Sequence, residues 1–345
     1  MNKRVIKIKD LKPGMVAANE IICNNSVLIA EGVIITPNMI NKLKEIYSLY
    51  DIEIYTTDKE VKNLIALEEA TKTINTVSNE IESIFSTTSN IKISNTLEVN
   101  KYAKTLLDKL KINNSILKNI ILNGSGEDCI YKHSVNVGVL SYLLGKWLGF
   151  EEKKLHSLVY ASLLHDYGKT KINKNILDKP LPLSDEELSI IRKHPIEAYN
   201  DIKEIPFMAK SVLFAILMHH ERCDGSGYPL GLKDEQIHEF AKIIAITDTF
   251  DALNSNRLYK KKKNPLESLK ILKNESLNKF NYFFTTKFLE GMINFFVGQD
   301  AILNTGELCK IIKIDLNNID FPLILCNNEF IDLSNNSNLY ITELL

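Results

Sequence analysis

The chain has 345 residues, and 42 Lys and Arg are balanced by 43 Asp and Glu, for a formal net charge of −1 at pH 7. This length predicts two or three domains, and the near-neutral charge argues against a binder of nucleic acid polymers. No apolar run approaches the roughly 18–20 residues of a transmembrane helix, and the start lacks the apolar core of a secretory signal. The five cysteines form no CxxC pair, which favours reduced thiols in a cytoplasmic protein.

The first 116 residues divide by composition into two segments. Residues 1–57 carry strand-like runs at 5–8, 21–23, 27–29 and 52–55, separated by Pro-Gly and Glu-Gly turns. They predict a small β-rich N-terminal module. Residues 58–116 are polar with a helical period, which predicts a helical linker that packs on the core or pairs with a second protomer in a homodimer.

Residues 117–295 contain apolar helices that end, begin or are interrupted at histidine or aspartate. One such helix opens near His133 and runs to about 149, and another ends at His165-Asp166, where Gly168 is placed to cap it. Asp248 interrupts the apolar run 241–252, where burial without a partner is costly. These positions predict one shared metal site: His133, His165, Asp166, His194, His219, His220 and Asp248.

The remaining residues, 296–345, return to strand signals at 301–303, 308–314, 323–326 and 339–341, with turns around Gly306 and at 317–318. They predict a small β-rich C-terminal module. The fold class expected for the whole chain is therefore mainly α, with a helical core and small β-rich modules at both ends.

The metal-site residues also carry a family resemblance. Residues from about 117 to 290 resemble the HD-GYP family, a branch of the HD-domain metal-dependent phosphohydrolases. The matching motifs are HDYGK at 165–169, KHP at 193–195, HHERCDGSGYPLGL at 219–232 and AITD at 245–248. The resemblance covers about half the chain and implies an HD-domain helical bundle at its core. In addition, residues 1–57 resemble a module that often precedes such cores.

The ligand types indicate the chemistry. Mixed imidazole and carboxylate ligation suits Fe, Mn or Zn, and octahedral sites with open positions favour Fe or Mn. Two ions about 3.5–4 Å apart clamp a phosphodiester and lower the pKa of a water between them toward ~7. We therefore predict two divalent transition-metal ions, with Asp166 as the bridging carboxylate and no side-chain nucleophile. Cys129 stands where some relatives that bind a third metal place a glutamate, so we expect two ions rather than three.

Three cations complete the predicted site. Lys169 follows the HD pair and can direct its ammonium at a phosphate, and we expect it to serve both catalysis and substrate binding. In the HD-GYP family, residues at the positions of Arg257 and Lys260 contact the dinucleotide, and the resemblance implies the same role here. In contrast, His156 and His238 lie in polar surroundings and are expected to be exposed and without function.

The resemblance implies an enzyme of bacterial second-messenger signalling, a phosphodiesterase that hydrolyses cyclic di-GMP to linear pGpG, and it leaves open whether pGpG is cleaved further to GMP. Two alternatives stay open: a non-catalytic cyclic-dinucleotide receptor or adaptor, and an HD hydrolase of another cyclic dinucleotide or nucleotide. The complete ligand set argues against a degenerate receptor. Signalling-protein partners are expected in either case.

Overall fold

The structure is a computed structural model that describes residues 2–23, 26–47, 51–56, 58–86, 93–112, 115–125, 130–179, 182–256, 262–336 and 338–344. The chain forms two compact units, residues 1–68 with 295–345 and residues 69–294. The first and last segments thus belong to one unit, and the helical middle forms the other. The four-segment division stays a prediction of the sequence.

The N-terminal part of the first unit combines short strands with one helix. Its strands are β1 Asn2–Lys7, β2 Val16–Ala17, β3 Ile21–Cys23, β4 Ser26–Ile29 and β5 Asp51–Thr56. They form an antiparallel sheet in the order β1-β5-β2 and a separate β3-β4 hairpin. The strand predictions are confirmed, but helix α1 Pro37–Tyr47 was missed. Its apolar positions Ile40 and Leu43 pack into the same buried cluster as Ile35 and Ile54.

The C-terminal part of the same unit is an antiparallel sheet. Its strands are β6 Asp300–Leu303, β7 Leu308–Asp315, β8 Asn318–Cys326, β9 Glu329–Asp332 and β10 Ile341–Leu344, in the order β10-β6-β7-β8-β9. Buried and more exposed residues alternate along much of β7 and β8, as expected where one face of a sheet covers a core. The predicted β-rich C-terminal module is confirmed.

The second unit is helical. Its helices, including those shared at the unit boundaries, are α2 Asp58–Ser86, α3 Ile93–Ile112, α4 Ser115–Asn123, α5 Ile130–Trp147, α6 Glu152–Leu164, α7 Lys174–Leu177, α8 Asp185–Ile191, α9 His194–Ile202, α10 Lys210–Met218, α11 Glu239–Asn254, α12 Pro265–Glu275 and α13 Tyr282–Phe296. A 3₁₀ turn, Tyr167–Lys171, follows α6. Helices α5, α6, α10 and α11 pack against one another and form the centre of the unit.

The linker helices pack on this centre. Tyr160 on α6 donates a hydrogen bond from its hydroxyl to the carbonyl of Thr96 on α3, at 3.1 Å. Near the end of α2, the ring of Phe85 lies edge-on to the ring of Tyr167, with centroids 5.0 Å apart. Among the described helices, none combines the length and apolar character needed to cross a membrane.

Candidate metal centre

The HD pair lies at the end of α6, as the sequence predicts. The helix ends at Leu164, and His165 and Asp166 are fully buried immediately beyond it. The expected role of Gly168 is wrong, because this residue lies inside the 3₁₀ turn with an ordinary φ instead of capping the helix. Its lack of a side chain serves packing: a Cβ there would overlap the backbone carbonyl of His194, with the carbonyl carbon 2.8 Å away.

Three histidines are oriented by the same local hydrogen bond to the backbone. The Nδ1 atoms of His165, His194 and His219 lie 2.7, 2.8 and 2.7 Å from backbone carbonyl oxygens three residues earlier, those of Ser162, Ile191 and Ile216. A carbonyl only accepts, so each Nδ1 donates, and in the neutral ring Nε2 is left with its lone pair. Such hydrogen bonds fix the ring tautomer of metal-ligating histidines.

His133 is oriented by a carboxylate instead. Its Nδ1 donates to Oδ2 of Asp251 at 2.7 Å, and Nδ2 of Asn136 donates to Oδ1 of the same carboxylate at 2.8 Å. Asp251 is fully buried on α11, one turn after Asp248. Sequence reasoning assigned Asp251 no role, although a second carboxylate three residues after Asp248 on an apolar helix was a readable signal.

The seven predicted ligands come together as two adjoining groups. Within each group the candidate ligand atoms all lie within 4.8 Å of one another, and the groups are Asp166, His194, His219 and His220, and His133, His165 and Asp248. Asp166 faces both groups. Its Oδ1 lies 3.2 Å from Nε2 of His194, and its Oδ2 lies 3.5 Å from Nε2 of His165 and 3.8 Å from that of His133.

Unpaired polar atoms indicate that these groups suit cations. Within the described part of the chain, Nε2 of His165 and of His220 and Oδ1 of Asp166 are buried without a hydrogen-bond partner. Such atoms are costly unless something coordinates them. Nε2 of His133 lies 3.0 Å from Oδ1 of Asp248, a member of its own ligand group. The Nε2 atoms of His194 and His219 also face each other at 3.2 Å. With both rings neutral, two lone pairs oppose there, and a shared cation relieves that contact.

The electrostatics favour the protonation states that metal binding requires at His219, His220 and Asp166, whereas His133 must lose a proton before it can bind a metal. Burial and the neighbouring His165 hold the pKa of His219 well below its usual range, and burial and His219 do the same for the pKa of His220. Burial alone would raise the pKa of Asp166, but Lys169 and His165 hold that pKa well below its ordinary value. Burial lowers the pKa of His133, but hydrogen bonds with Asp248 and Asp251 outweigh it and raise the pKa to about 9.

Of the three predicted substrate-binding cations, the structure describes Lys169. Its Nζ lies 2.7 Å from Oδ2 of Asp166, so the ammonium faces the ligand groups as expected. Arg257 and Lys260 lie outside the described residues, as does Cys129.

The GYP segment, residues 227–229, forms one wall of the centre. The Tyr228 ring stacks on His220, with centroids 4.6 Å apart and planes 27° apart. The loop is held by Glu221, a buried carboxylate that sequence reasoning missed, which accepts hydrogen bonds from the backbone N–H groups of Leu230 at 2.6 Å and Leu232 at 2.8 Å. Gly227 is required because a Cβ there would overlap the backbone of residues 220–222.

The two histidines expected to be exposed are in fact half-buried. Nδ1 of His238 accepts a hydrogen bond from the backbone N–H of Phe240 at 3.1 Å, so this residue caps the start of α11. An imidazole can serve as an N-cap acceptor, and flanking charges do not reveal that role. His156 belongs to neither ligand group.

A helical unit with buried His/Asp ligand groups defines a divalent-metal protein, and the chain belongs to the HD domain family, which matches residues 82–282. The resemblance to HD-GYP proteins is confirmed. Over 174 residues, the chain is 35% identical to the cyclic di-GMP phosphodiesterase PA4108 of Pseudomonas aeruginosa, covering 49% of this chain and 42% of that protein. It is 34% identical over 145 residues to the 3′3′-cGAMP-specific phosphodiesterase 1 of Vibrio cholerae, covering 42% and 33%.

Among solved structures, Bd1817, a HDG"Y"P protein from Bdellovibrio bacteriovorus, matches with a TM-score of 0.55 at 20% identity, covering 84% of this chain and 99% of that one. This match supports the fold, a mainly helical HD domain with small β-sheets. The chain spans less than half the length of the two curated relatives described above.

Proposed function

We propose that this protein is a metal-dependent phosphodiesterase that hydrolyses cyclic di-GMP to linear pGpG, with further cleavage to GMP left to the product analysis below. The family membership, the relatives' activities and the complete ligand set support this proposal.

One observation carries it: the two carboxylate oxygens of Asp166 face different ligand groups. Oδ1 approaches His194, and Oδ2 approaches His165 and His133. A carboxylate placed in this way would serve two cations at once, and a two-ion centre is suited to in-line displacement at a phosphodiester. A single structural cation would not need a carboxylate shared between two groups.

We assign the seven residues as ligands: Asp166, His194, His219 and His220 for one ion, and His133, His165, Asp248 and the second oxygen of Asp166 for the other. When bound, two divalent ions would polarise the phosphoryl oxygens and lower the pKa of water. Mixed N and O ligation favours Fe or Mn, with Zn as a third candidate. Burial lowers the pKa of His165, His219 and His220, which favours their neutral, ligating form, and hydrogen bonds at Nδ1 fix the orientation of four of the rings.

Lys169 is proposed to act on the substrate. Its ammonium lies beside Asp166, close enough to balance negative charge on a phosphoryl oxygen held at the centre. Arg257 and Lys260 are proposed to contact the dinucleotide, with the planar guanidinium suited to a bidentate contact with a phosphate or a guanine.

A second candidate is hydrolysis of another cyclic dinucleotide. A relative at 34% identity is named as specific for 3′3′-cGAMP. Related proteins therefore act on cyclic dinucleotides with different combinations of bases. The receptor alternative is disfavoured because each predicted ligand is present and lies in one of the two groups. The proposed setting is cytoplasmic signalling, with pairing through residues 58–116 and with signalling-protein partners.

The test is a product analysis of protein purified without oxygen, with its metal content measured. Cyclic di-GMP, 3′3′-cGAMP and cyclic di-AMP are each incubated with the protein, and linear dinucleotides and mononucleotides are separated by chromatography. We expect cyclic di-GMP to be opened fastest. Binding of cyclic di-GMP without turnover by a fully metal-loaded sample would favour a receptor, and faster opening of 3′3′-cGAMP would favour the second candidate.

A further inference from the structure

A cavity of about 490 Å³ adjoins the metal centre, and none of the proposed metal ligands or substrate-binding cations that the structure describes lines it. Its walls are α8, the turn into α9 and the outer side of the GYP segment, and its lining includes Ser189, Arg192, Lys193, Tyr228 and Pro229. The Tyr228 ring belongs to both sites, because it also stacks on the candidate ligand His220. A ligand that is bound at the metal centre and extends past the Tyr228 ring would therefore occupy this cavity.

Two cations, Arg192 and Lys193, and one carboxylate, Asp185, line the cavity, and the cations lie on the side of Tyr228. The guanidinium of Arg192 lies over the Tyr228 ring, 5.6 Å from its centroid, and Lys193 follows it directly. Arg192 is exposed, and no carboxylate within the described residues forms an ion pair with it by direct contact. A solvated guanidinium beside an aromatic ring is suited to a phosphate or to the face of a purine base.

The backbone of Arg192 is held close to a candidate metal ligand. It is the C-terminal cap of α8, with its backbone N–H bound to the carbonyl of Leu188 at 2.9 Å. Two residues later, His194 binds back to the carbonyl of Ile191 through Nδ1 at 2.8 Å. The backbone of Arg192 and the candidate metal ligand His194 thus belong to one turn, which places the Arg192 side chain next to the metal centre.

We propose that this cavity is the subsite for the second half of the substrate, and that Arg192 binds its non-scissile phosphate or its base. The inference rests on the proposed function. A cyclic dinucleotide has two phosphodiester groups, and only one is at the metal centre during cleavage. The other half must lie on a neighbouring surface, and the Arg192–Tyr228 cavity supplies a cation, an aromatic wall and sufficient volume. Arg192 is therefore a specificity-determining residue that separates dinucleotides from simple phosphodiesters.

The experiment compares two substrates of the metal-loaded protein: cyclic di-GMP, and bis(p-nitrophenyl) phosphate, which has one phosphodiester and no second nucleotide. In Arg192→Ala, the ratio of kcat/KM for cyclic di-GMP to that for the simple diester should fall about tenfold, as expected for loss of one charge-assisted contact. The fall should come mainly through KM, and Arg192→Lys should recover part of it.

Lys203→Ala is the matched control. Lys203 is another exposed cation over a tyrosine ring, 5.7 Å from the centroid of Tyr199, but it does not line the cavity. This variant should leave the ratio unchanged. A wild-type ratio retained in Arg192→Ala would overturn the subsite, as would an equal loss on both substrates. If the wild type cleaves the simple diester but none of the cyclic dinucleotides, the proposed function fails instead.

Discussion

The sharpest prediction of the site geometry concerns Asp251, which is not itself placed among the metal ligands. Its carboxylate accepts from Nδ1 of His133 at 2.7 Å and from Nδ2 of Asn136 at 2.8 Å. The substitution Asp251→Asn keeps the shape and removes both the charge and one acceptor. An amide at this position can accept from only one of the two donors, so the other donor is left unsatisfied in a buried site.

The expected magnitude follows from these two contacts. A hydrogen bond to a charged group contributes about 1.5–3 kcal/mol, and an unsatisfied buried donor costs about 1–3 kcal/mol. Loss of a carboxylate that orients a ligating histidine typically lowers metal affinity by about 10- to 100-fold. We therefore expect Asp251→Asn to bind its metal 10- to 100-fold more weakly, while the seven candidate ligands are all retained. Competition with a chelator of known affinity measures this directly.

Ser141→Ala serves as the control for general damage between α5 and α11. Ser141 and Thr247 share a buried hydrogen bond of 2.9 Å between the same two helices, without contact to a candidate ligand. This variant should lose about 1 kcal/mol of stability, measured by denaturant unfolding of metal-free protein, and should keep wild-type metal affinity. Equal metal affinity in Asp251→Asn and the wild type would refute the reasoning.

Three further predictions test other parts of the site. Gly168→Ala should destabilise the protein by about 1–3 kcal/mol in denaturant unfolding, because the added methyl overlaps the His194 carbonyl. Its control, Gly138→Ala, should be tolerated, since the Cβ there would lie 3.5 Å from the nearest side-chain atom. Cys129→Ser should leave activity and metal content unchanged, and loss of one metal equivalent would indicate a third ion. Arg257→Ala should weaken cyclic di-GMP binding, measured by calorimetry, by about 10- to 100-fold and leave the metal content intact. An unchanged affinity would mean that the dinucleotide does not contact Arg257.

The clustering of the candidate ligands was largely predictable because polar residues at these positions interrupt apolar helices. A histidine or aspartate that ends or interrupts an apolar helix is visible in the sequence, and the structure places all seven such positions in two adjoining groups. The residues that pack around the candidate ligands were harder to predict from the sequence. The need for Gly168 arises from the backbone of His194, and the role of Glu221 depends on two loop N–H groups, so both are set by tertiary contacts.

Elements of the fold that lack a strong apolar pattern were also missed from the sequence. Strands with alternating or continuous apolar runs were found from the sequence, whereas α1 was missed although Pro37 stands at its first position, where proline is favoured. β9, with exposed and half-buried residues, offers no comparable apolar signal and was also missed. His238 was assigned to the surface from its charged neighbours, yet its ring caps α11.

The central claim is a two-ion centre bridged by Asp166, and metal content measured together with turnover tests it most directly. Wild-type protein purified without oxygen should retain close to two transition-metal ions per chain and hydrolyse cyclic di-GMP. Asp166→Ala should lose both ions and all turnover, because one carboxylate serves both groups. Full activity of Asp166→Ala in the presence of a strong chelator would contradict the account.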